Sequence, residues 1–268
     1  MTLRGFVASR PQIKNIALLV MRLRGPFGRF TFFPVVRAYA QFFSDWRGFR
    51  SLGGAARALD FYPCLFDNQP KSSIDAHYFH QAVWAFRKIS QARPTRHVDV
   101  GSDVNYVGML TAVVPVTFVD IRPLELTLPN YEGLSGSVLS LPFPDSSIES
   151  LSSLHVIEHI GLGRYGDPID PQGSQKAARE IARVIGPGGR AYITVPIGRP
   201  RVQFNGQRVF AVGEVMSMFA GLRLVELSVV EPAGRLVEAV DASKLSIDDS
   251  NTGADCGLGL FEFIKDAV

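Results

Sequence analysis

The sequence predicts a doubly wound α/β fold, in which helices cover both faces of a largely parallel sheet. Two observations lead to this prediction. After Pro94, short apolar segments of strand length alternate with segments whose apolar residues recur at helical spacing, which is typical of β-α-β units. The last two strand-like segments follow each other without a crossover helix of the usual kind, which predicts an antiparallel edge.

The amino-terminal part of the chain predicts helices. Residues 1–60 are interpreted as short helices, with breaks at Pro11, Gly25-Pro26, Pro34 and Gly53-Gly54. Residues 74–92 place apolar side chains at helical spacing, and Arg93-Pro94 predicts the end of that helix. We therefore divide the chain into a basic helical amino-terminal cap, residues 1–94, and a Rossmann-like domain, residues 95–268.

Seven segments of the second part are predicted strands. They are residues 97–101, 115–121, 135–139, 148–154, 190–196, 222–230 and 258–265. Helices are predicted across residues 175–185 and at about 212–220. Because ligands of open parallel sheets bind at the carboxyl ends of the strands, the polar residues that follow the first strands are the first candidates for a site.

Composition limits the class of protein. The chain has 268 residues, of which 46% are hydrophobic and 20% charged, so it can bury a sizeable core. Its two cysteines, Cys64 and Cys256, are far apart and belong to no metal-binding pattern, which favours a reducing cytoplasm over a disulfide scaffold. No apolar run approaches the roughly 20 residues that a membrane-spanning helix needs. We therefore expect a soluble, cytoplasmic protein.

Charge is distributed unevenly along the chain. Residues 1–60 carry ten basic and two acidic side chains, whereas the remainder carries eighteen basic and twenty-three acidic ones. This segment is also rich in phenylalanine, so it could rest peripherally on the anionic inner face of a membrane. The preferred interpretation is a helical cap with solvated arginines. No nucleic-acid partner is expected, because the basic residues form no recognised module.

The stretch HVDVGSDV suggests a nucleotide-type turn. Asp99 and Gly101 end the first strand, where backbone amides at the start of the next helix can meet a polar or anionic ligand group. Asp120 ends the second strand, 21 residues after Asp99, a position at which an acid accepts hydrogen bonds from a ribose diol. The structural alternative for each acid is a helix cap or a turn.

Two longer motifs carry a resemblance to a known superfamily. The segments LPFPDSSIESLSSLHVIEHI and EIARVIGPGGRAYITVP resemble class I S-adenosylmethionine-dependent methyltransferases over about residues 96–230. The resemblance implies a Rossmann-like seven-stranded sheet and S-adenosylmethionine as cofactor. More narrowly, YFHQAVW, FVDIRPL, HVIEHIGLGRYGDPIDPQG and FNGQRVF are similar to a bacterial family of domains of unknown function associated with surface-polysaccharide assembly.

The resemblance also implies a cofactor site. Its residues, in chain order, are Asp99, Gly101, Ser102, Asp103, Asp120, Ile121, Ser137, Val138 and His155. The first three would line the methionine end of the cofactor, Asp120 would hold the ribose, and Ile121 would pack on the adenine. Ser137 and Val138 fall where the adenine amino group is recognised, and the backbone near His155 would close the site.

Two positions depart from the superfamily pattern. Asp103 stands where a glycine is expected, and Ser137 stands where an acid is expected. The Asp103 carboxylate could repel the cofactor's carboxylate, at a cost on the order of 1–4 kcal/mol. It could instead pair with the cofactor's α-ammonium group or bond a ribose hydroxyl. Aspartate also tolerates a left-handed backbone better than most residues, so the turn need not be broken.

The stretch HVIEH fits a zinc-peptidase pattern with His155, Glu158 and His159. The pattern requires a continuous helix, whereas here a strand-like segment precedes it and glycines follow, so no metal is expected. The methyltransferase interpretation makes His159 a candidate base for a substrate hydroxyl. The alternative is that His159 only bonds the backbone of the next loop.

The loop GLGRYGDPIDPQG is the most distinctive segment. Its candidate substrate-binding residues are Arg164, Tyr165 and Asp170, and its second candidate catalytic residue is Asp167. The two acids could bind sugar hydroxyls or act as base, and Arg164 could hold a phosphate. Asn205 and Arg208 could join the same opening. A purely structural loop is the alternative.

Together these features predict methyl transfer from S-adenosylmethionine to an oxygen of a sugar or glycolipid acceptor. A degenerate, non-catalytic fold that acts as a scaffold in envelope-glycan assembly is the alternative, favoured by Asp103 and Ser137. A nicotinamide-dependent enzyme fits less well, because GPGGRAYITVP and the paired terminal strands match methyltransferases. The acceptor and the oligomeric state stay open.

Overall fold

A computed structural model describes residues 32–68, 70, 72, 74–242 and 256–267. The chain divides into two compact units, Met1–Ser73 and Ile74–Val268. The division therefore falls before the helix of residues 76–92, whereas the sequence placed it at residue 94. The reason is that Trp84, Ala85 and Ile89 of that helix are buried in the second unit's core.

In its described residues, the first unit contains the helix α1, Phe32–Ser51, and one 3₁₀ turn, Ala58–Asp60. Pro34 does not break α1 as predicted, because it lies in the first turn, where no amide hydrogen is required. The helix ends just before the predicted break at Gly53-Gly54. Three aromatic side chains of α1 pack around Phe61 with ring centroids 5.1–5.9 Å apart. The predicted breaks at Pro11 and Gly25-Pro26 lie outside the described residues.

The second unit is built on one eight-stranded sheet. Its strands are β1 His97–Val100, β2 Val116–Asp120, β3 Tyr131–Ser135, β4 Ile148–Leu154, β5 Ile185–Ile197, β8 Arg223–Val230, β9 Leu236–Val237 and β10 Gly257–Ile264. A separate hairpin pairs β6, Arg201–Gln203, with β7, Gln207–Val209. The strand order in the sheet is β3-β2-β1-β4-β5-β10-β8-β9.

The first five strands are mutually parallel, and β10 lies antiparallel between β5 and β8. This confirms the predicted parallel sheet with an antiparallel edge. The sheet has eight strands rather than seven because β9 pairs with the end of β8. The third strand occupies residues 131–135 instead of 135–139, and its register pairs Ser135 with Asp120. Ser137 and Val138 consequently lie just beyond the strand.

Helices cover both faces of this sheet, as predicted. They are α2 Ala76–Ala92, α3 Val104–Leu110, α4 Gly173–Val184 and α5 Val212–Met218. Two separate apolar cores result, one under α4 and α5 and one under α2 and α3. Asp75 caps α2 by accepting hydrogen bonds from two backbone amides, and Arg93 ends the helix with a left-handed backbone. No helix in the described parts of the chain is long and apolar enough to span a membrane.

Candidate active site

The strand order reverses at β1, because β2 and β3 lie on one side of it and β4 and β5 on the other. At such a reversal a crevice opens at the carboxyl ends of the strands. Gly101 makes the first turn there with φ +71°, a conformation that side chains with a Cβ rarely adopt. A Cβ at this position would lie 3.2 Å from a methyl group of Val156 and 3.7 Å from Oδ2 of Asp120. Glycine is therefore favoured both by the backbone conformation and by the narrow space.

Asp99 and Ser102 give the turn its shape. The fully buried Asp99 carboxylate accepts hydrogen bonds from the Ser102 amide at 3.0 Å, from the Ser102 hydroxyl at 2.7 Å and from the Ser152 hydroxyl. Burial raises the pKa of Asp99 to about 6, and the hydrogen bonds, which act in the opposite direction, offset only part of this increase. The sequence placed both residues against the cofactor. Both are buried and hold the turn, and their predicted contact with the cofactor stays a prediction.

Asp103 is the amino-terminal cap of α3. Its Oδ1 accepts hydrogen bonds from the amides of Asn105 at 2.9 Å and Tyr106 at 3.3 Å. Its φ of −60° and ψ of 131° are extended, so the left-handed conformation considered from the sequence does not occur. The residue lines a cavity of about 250 Å³ between α2 and α3, with Tyr78 and Gln81 on the other wall. The aspartate therefore leaves the turn intact.

A second cavity of about 250 Å³ opens at the carboxyl ends of β1, β2 and β4. Among the predicted site residues, it is lined by Gly101, Asp120, Ile121, Ser137, Val138, His155, His159, Tyr165 and Asp167. Asp120 is held by the Arg122 amide, which donates to its Oδ1 at 2.7 Å. Ile121 is 49% exposed and presents an apolar surface beside this carboxylate. The structure thus brings together the residues predicted for the adenosine end of the cofactor.

His155 follows β4 in a left-handed conformation with φ +57°, which is unusual for a residue other than glycine. Its amide donates to the carbonyl and the hydroxyl of Thr194, both at 3.1 Å. Its Nδ1 lies 2.6 Å from Oε1 of the fully buried Glu158, and its ring stacks on Tyr78 with centroids 5.1 Å apart. These contacts fix the imidazole at the cavity wall.

His155 and Glu158 each have one unsatisfied polar atom. Among the described residues, neither Nε2 of His155 nor Oε2 of Glu158 has a hydrogen-bond partner, and both atoms are buried. Buried polar groups in folded proteins are nearly always satisfied, and exceptions are associated with catalysis or bound water. The unsatisfied atoms therefore point to a functional role for the pair.

His159 follows Glu158 in the chain. It lies in a single 3₁₀ turn, Ile157–His159, instead of the continuous helix that the zinc pattern requires. Its Nδ1 is 2.7 Å from the carbonyl oxygen of Gly206, and its Nε2 is 3.8 Å from Oε1 of Glu158. Burial lowers the pKa of His159, and the nearby carboxylate only partly offsets this effect. The imidazole is anchored to the backbone of the β6–β7 hairpin, whereas the structural alternative considered from the sequence was a bond to the backbone of the loop that follows His159.

The two acids of the loop after this turn have structural roles. Asp167 accepts hydrogen bonds from the amides of Gly161 at 2.5 Å and Tyr165 at 3.3 Å. Burial raises the pKa of Asp167, but the backbone donors outweigh this effect and leave it lowered, which makes the carboxylate a poor base. Asp170 accepts from Lys176 at 2.6 Å and from the following turn. The assignments of Asp167 to catalysis and of Asp170 to substrate binding do not fit these contacts.

Arg208 was predicted to bind substrate but is only 6% exposed. Its guanidinium donates to the carbonyl oxygens of Ile160 at 2.5 Å and Asp170 at 3.1 Å and to the hydroxyl of Ser174 at 3.1 Å. Arg208 therefore fastens the loop to α4. Asn205 lies exposed at the tip of the β6–β7 hairpin, next to the carbonyl that contacts His159.

Tyr165 forms part of the cavity roof between two arginines. The Arg164 guanidinium carbon lies 5.1 Å from the ring centroid, and that of Arg122 lies 5.8 Å from it. Sequence reasoning did not assign Arg122 or Tyr78 to the site. Arg122 could have been found from its place two residues after Asp120, whereas Tyr78 was counted among the apolar positions of α2.

The sheet order and the helices on both faces define a Rossmann-like, doubly wound α/β fold. A family model described as "Caenorhabditis protein of unknown function, DUF268" matches residues 145–246. This description names neither a bacterial family nor polysaccharide assembly, so the narrower family expected from the sequence is not supported. No curated protein matches the chain.

Solved structures support the fold. The chain is similar to the (4+2)-cyclase SpnF, with 14% identity and a TM-score of 0.53, over 75% of this chain and 86% of that one. It is also similar to a Galdieria sulphuraria protein described as a sarcosine dimethylglycine methyltransferase, with 17% identity and a TM-score of 0.50, over 71% and 86% of the two chains. Because one of these proteins is called a cyclase and the other a methyltransferase, the reaction has to be argued from the site.

Proposed function

We propose that the chain binds S-adenosylmethionine at the carboxyl ends of β1, β2 and β4 and transfers its methyl group to an acceptor. The observation that carries the proposal is the Asp120 carboxylate at the end of β2. It faces the glycine turn across 3.7 Å, measured from its Oδ2 to a Cβ built on Gly101, and the exposed Ile121 follows it. A carboxylate and an apolar side chain in this order suit a ribose diol and an adenine ring.

The residues present fit the cofactor. Asp120 would accept the ribose hydroxyls, Ile121 and Val138 would contact the adenine, and the Ser137 hydroxyl would supply a polar contact. The cavity beside α3 would take the methionine end of the cofactor. There Asp103, the cap of α3, would present its carboxylate toward the cofactor's ammonium group. The bound cofactor would supply a methyl group on a positively charged sulfur.

An oxygen acceptor requires a group that removes a proton, and we assign this role to His155 rather than His159. Glu158 accepts from Nδ1 of His155, which leaves the lone pair on Nε2. His159 is less suited to act as the base, because its Nδ1 contacts the carbonyl oxygen of Gly206. Asp167 is less suited because its carboxylate accepts from backbone amides. Because Nε2 of His155 is buried, the acceptor must displace a neighbouring side chain to reach it.

The sugar or glycolipid acceptor is the finer part of the proposal, and it rests on the sequence resemblance. Asp103 no longer favours the scaffold alternative, because it caps a helix without disturbing the turn. Ser137 still lacks the acid expected at its position. The scaffold alternative is therefore retained as an outcome of the binding experiment.

The test is a calorimetric titration of the protein with S-adenosylmethionine and S-adenosylhomocysteine. We expect saturable binding that Asp120→Asn weakens at least about tenfold, because a hydrogen bond to a charged group is typically worth about 1.5–3 kcal/mol. Asp60→Asn, an exposed aspartate of the first unit, is the matched control and should bind like the wild type. Absence of binding by the wild type would refute the proposal and leave the scaffold interpretation.

A further inference from the structure

Two guanidinium groups stand at the mouth of the cavity that contains Asp120. Arg122 lines this cavity, and Arg164 belongs to the loop beside it, with the Tyr165 ring of the cavity wall in contact with both. Arg164 also donates to the carbonyl oxygen of Gly206 at 3.1 Å, and its Nη1 is 3.5 Å from Nδ1 of His159. Its charge therefore lies beside His159 and Tyr165, which line the cavity.

Neither guanidinium is neutralised by a partner. In the part of the chain that the structure describes, no carboxylate oxygen lies within 4.0 Å of Arg122 or Arg164. Several other arginines of the same unit do form such pairs, namely Arg87, Arg96, Arg183, Arg190, Arg223 and Arg235. The nearby Asp167 accepts from backbone amides and forms no such pair. Two unpaired cations at one opening favour an anionic ligand.

The chemistry of the guanidinium narrows the ligand class. Each guanidinium has five N–H donors in a planar fork that matches a phosphate or a carboxylate. Arg164 uses one donor group on Gly206, which orients the fork and leaves further donors for a ligand. A positively charged sulfonium in the neighbouring cavity would add to the attraction for an anion.

We propose that the acceptor carries an oxyanion, a phosphate or a carboxylate, that Arg164 and Arg122 bind at the cavity mouth. This inference rests on the proposed function for the identity of the ligand as a methyl acceptor. It names the chemical class that the acceptor must have, which the sequence did not provide beyond a possible phosphate contact of Arg164.

The experiment titrates inorganic pyrophosphate and, separately, succinate into the protein, both free and saturated with S-adenosylhomocysteine, at about 0.15 M salt to screen diffuse attraction. We expect saturable binding of one anion, weakened about tenfold or more in Arg164→Gln and in Arg122→Gln. Glutamine removes the positive charge and leaves a polar side chain at each position. Arg179→Gln is the control, because Arg179 lies on α4 and lines a separate groove.

Binding of pyrophosphate alone would identify a phosphate-bearing acceptor, and binding of succinate alone a carboxylate. Absence of saturable binding of both anions, or an equal loss in Arg179→Gln, would overturn the inference. The S-adenosylhomocysteine titration separates the two proposals. If it binds and the anions do not, only this inference fails; if the anions bind without it, the oxyanion site stands and the methyltransferase proposal fails.

Discussion

Replacing Gly101 by alanine separates the cost of an unfavourable backbone from the cost of filling the cofactor site. The residue has φ +71°, and a left-handed conformation costs an L-residue roughly 1–2 kcal/mol. The new methyl group would lie 3.2 Å from Val156 Cγ1, so that side chain has to move by a few tenths of an ångström. It would also stand 3.7 Å from Oδ2 of Asp120, in the space assigned to the cofactor.

Gly188→Ala provides the matched control. Gly188 has φ +74°, nearly the same conformation, but a Cβ there would meet no atom within 4 Å. We expect urea unfolding to show a loss of about 1–2 kcal/mol for both variants. Only Gly101→Ala should lose affinity for S-adenosylhomocysteine, by at least about tenfold, which corresponds to about 1.4 kcal/mol.

Calorimetric titration of the two variants decides the matter. If Gly101→Ala binds S-adenosylhomocysteine as tightly as Gly188→Ala, the space between Gly101 and Asp120 is not the binding site. The same conclusion would follow if both variants lost affinity equally, because the effect would then come from stability rather than from the added methyl group.

Three further predictions concern stability, each measured by urea unfolding. The pKa of Asp99 is raised to about 6 from 3.8, so the folded state favours the neutral carboxyl; its contribution should fall by about 3 kcal/mol as pH rises from below 4 to above 6, and Asp99→Asn should remove this dependence. The pKa of His97 is lowered to about 3 from 6.5, so stability should be lost as pH falls below about 6.5; a His97→Gln variant that kept the full acid dependence would contradict this reasoning. Arg208→Met should cost about 3 kcal/mol, because it removes the donor to Asp170 and Ser174 and leaves the Ile160 carbonyl oxygen with no donor among the described residues, whereas Arg179→Met, at an exposed position of α4, should change little.

The strands that the sequence predicted best are those with a continuous apolar pattern. β2 and β10 are almost entirely buried and rich in apolar residues, as expected of strands that are covered on both faces. β3 was placed four residues too late because it lies at the sheet edge and is only partly buried, which leaves no apolar run to detect. β9 has two residues, Leu236–Val237, and forms only because β8 offers an unpaired edge.

The site was predictable where a role depends on the local chain. Gly101 follows a buried strand directly, and the turn itself demands a glycine. Asp120 ends the next strand, and parallel pairing of β1 with β2 brings the two ends together. The capping role of Asp103 is likewise local, because it accepts from amides two and three residues ahead. That role could have been predicted from the sequence alone.

The remaining assignments depended on contacts between distant parts of the chain. Arg208 connects several segments because the hairpin that carries it lies against residues 160–174, some 34 to 48 positions earlier in the chain. Asp167 resembles a candidate base until its acceptor positions are seen to be occupied by amides of its own loop. His155 gains its significance from Glu158, whose complete burial no local pattern reveals. Aspartate, arginine and histidine side chains therefore cap a helix, fasten a loop or serve as the proposed base, according to which of their polar atoms the fold leaves without a partner. Among the described residues of this site, the buried atoms without a partner belong to His155 and Glu158.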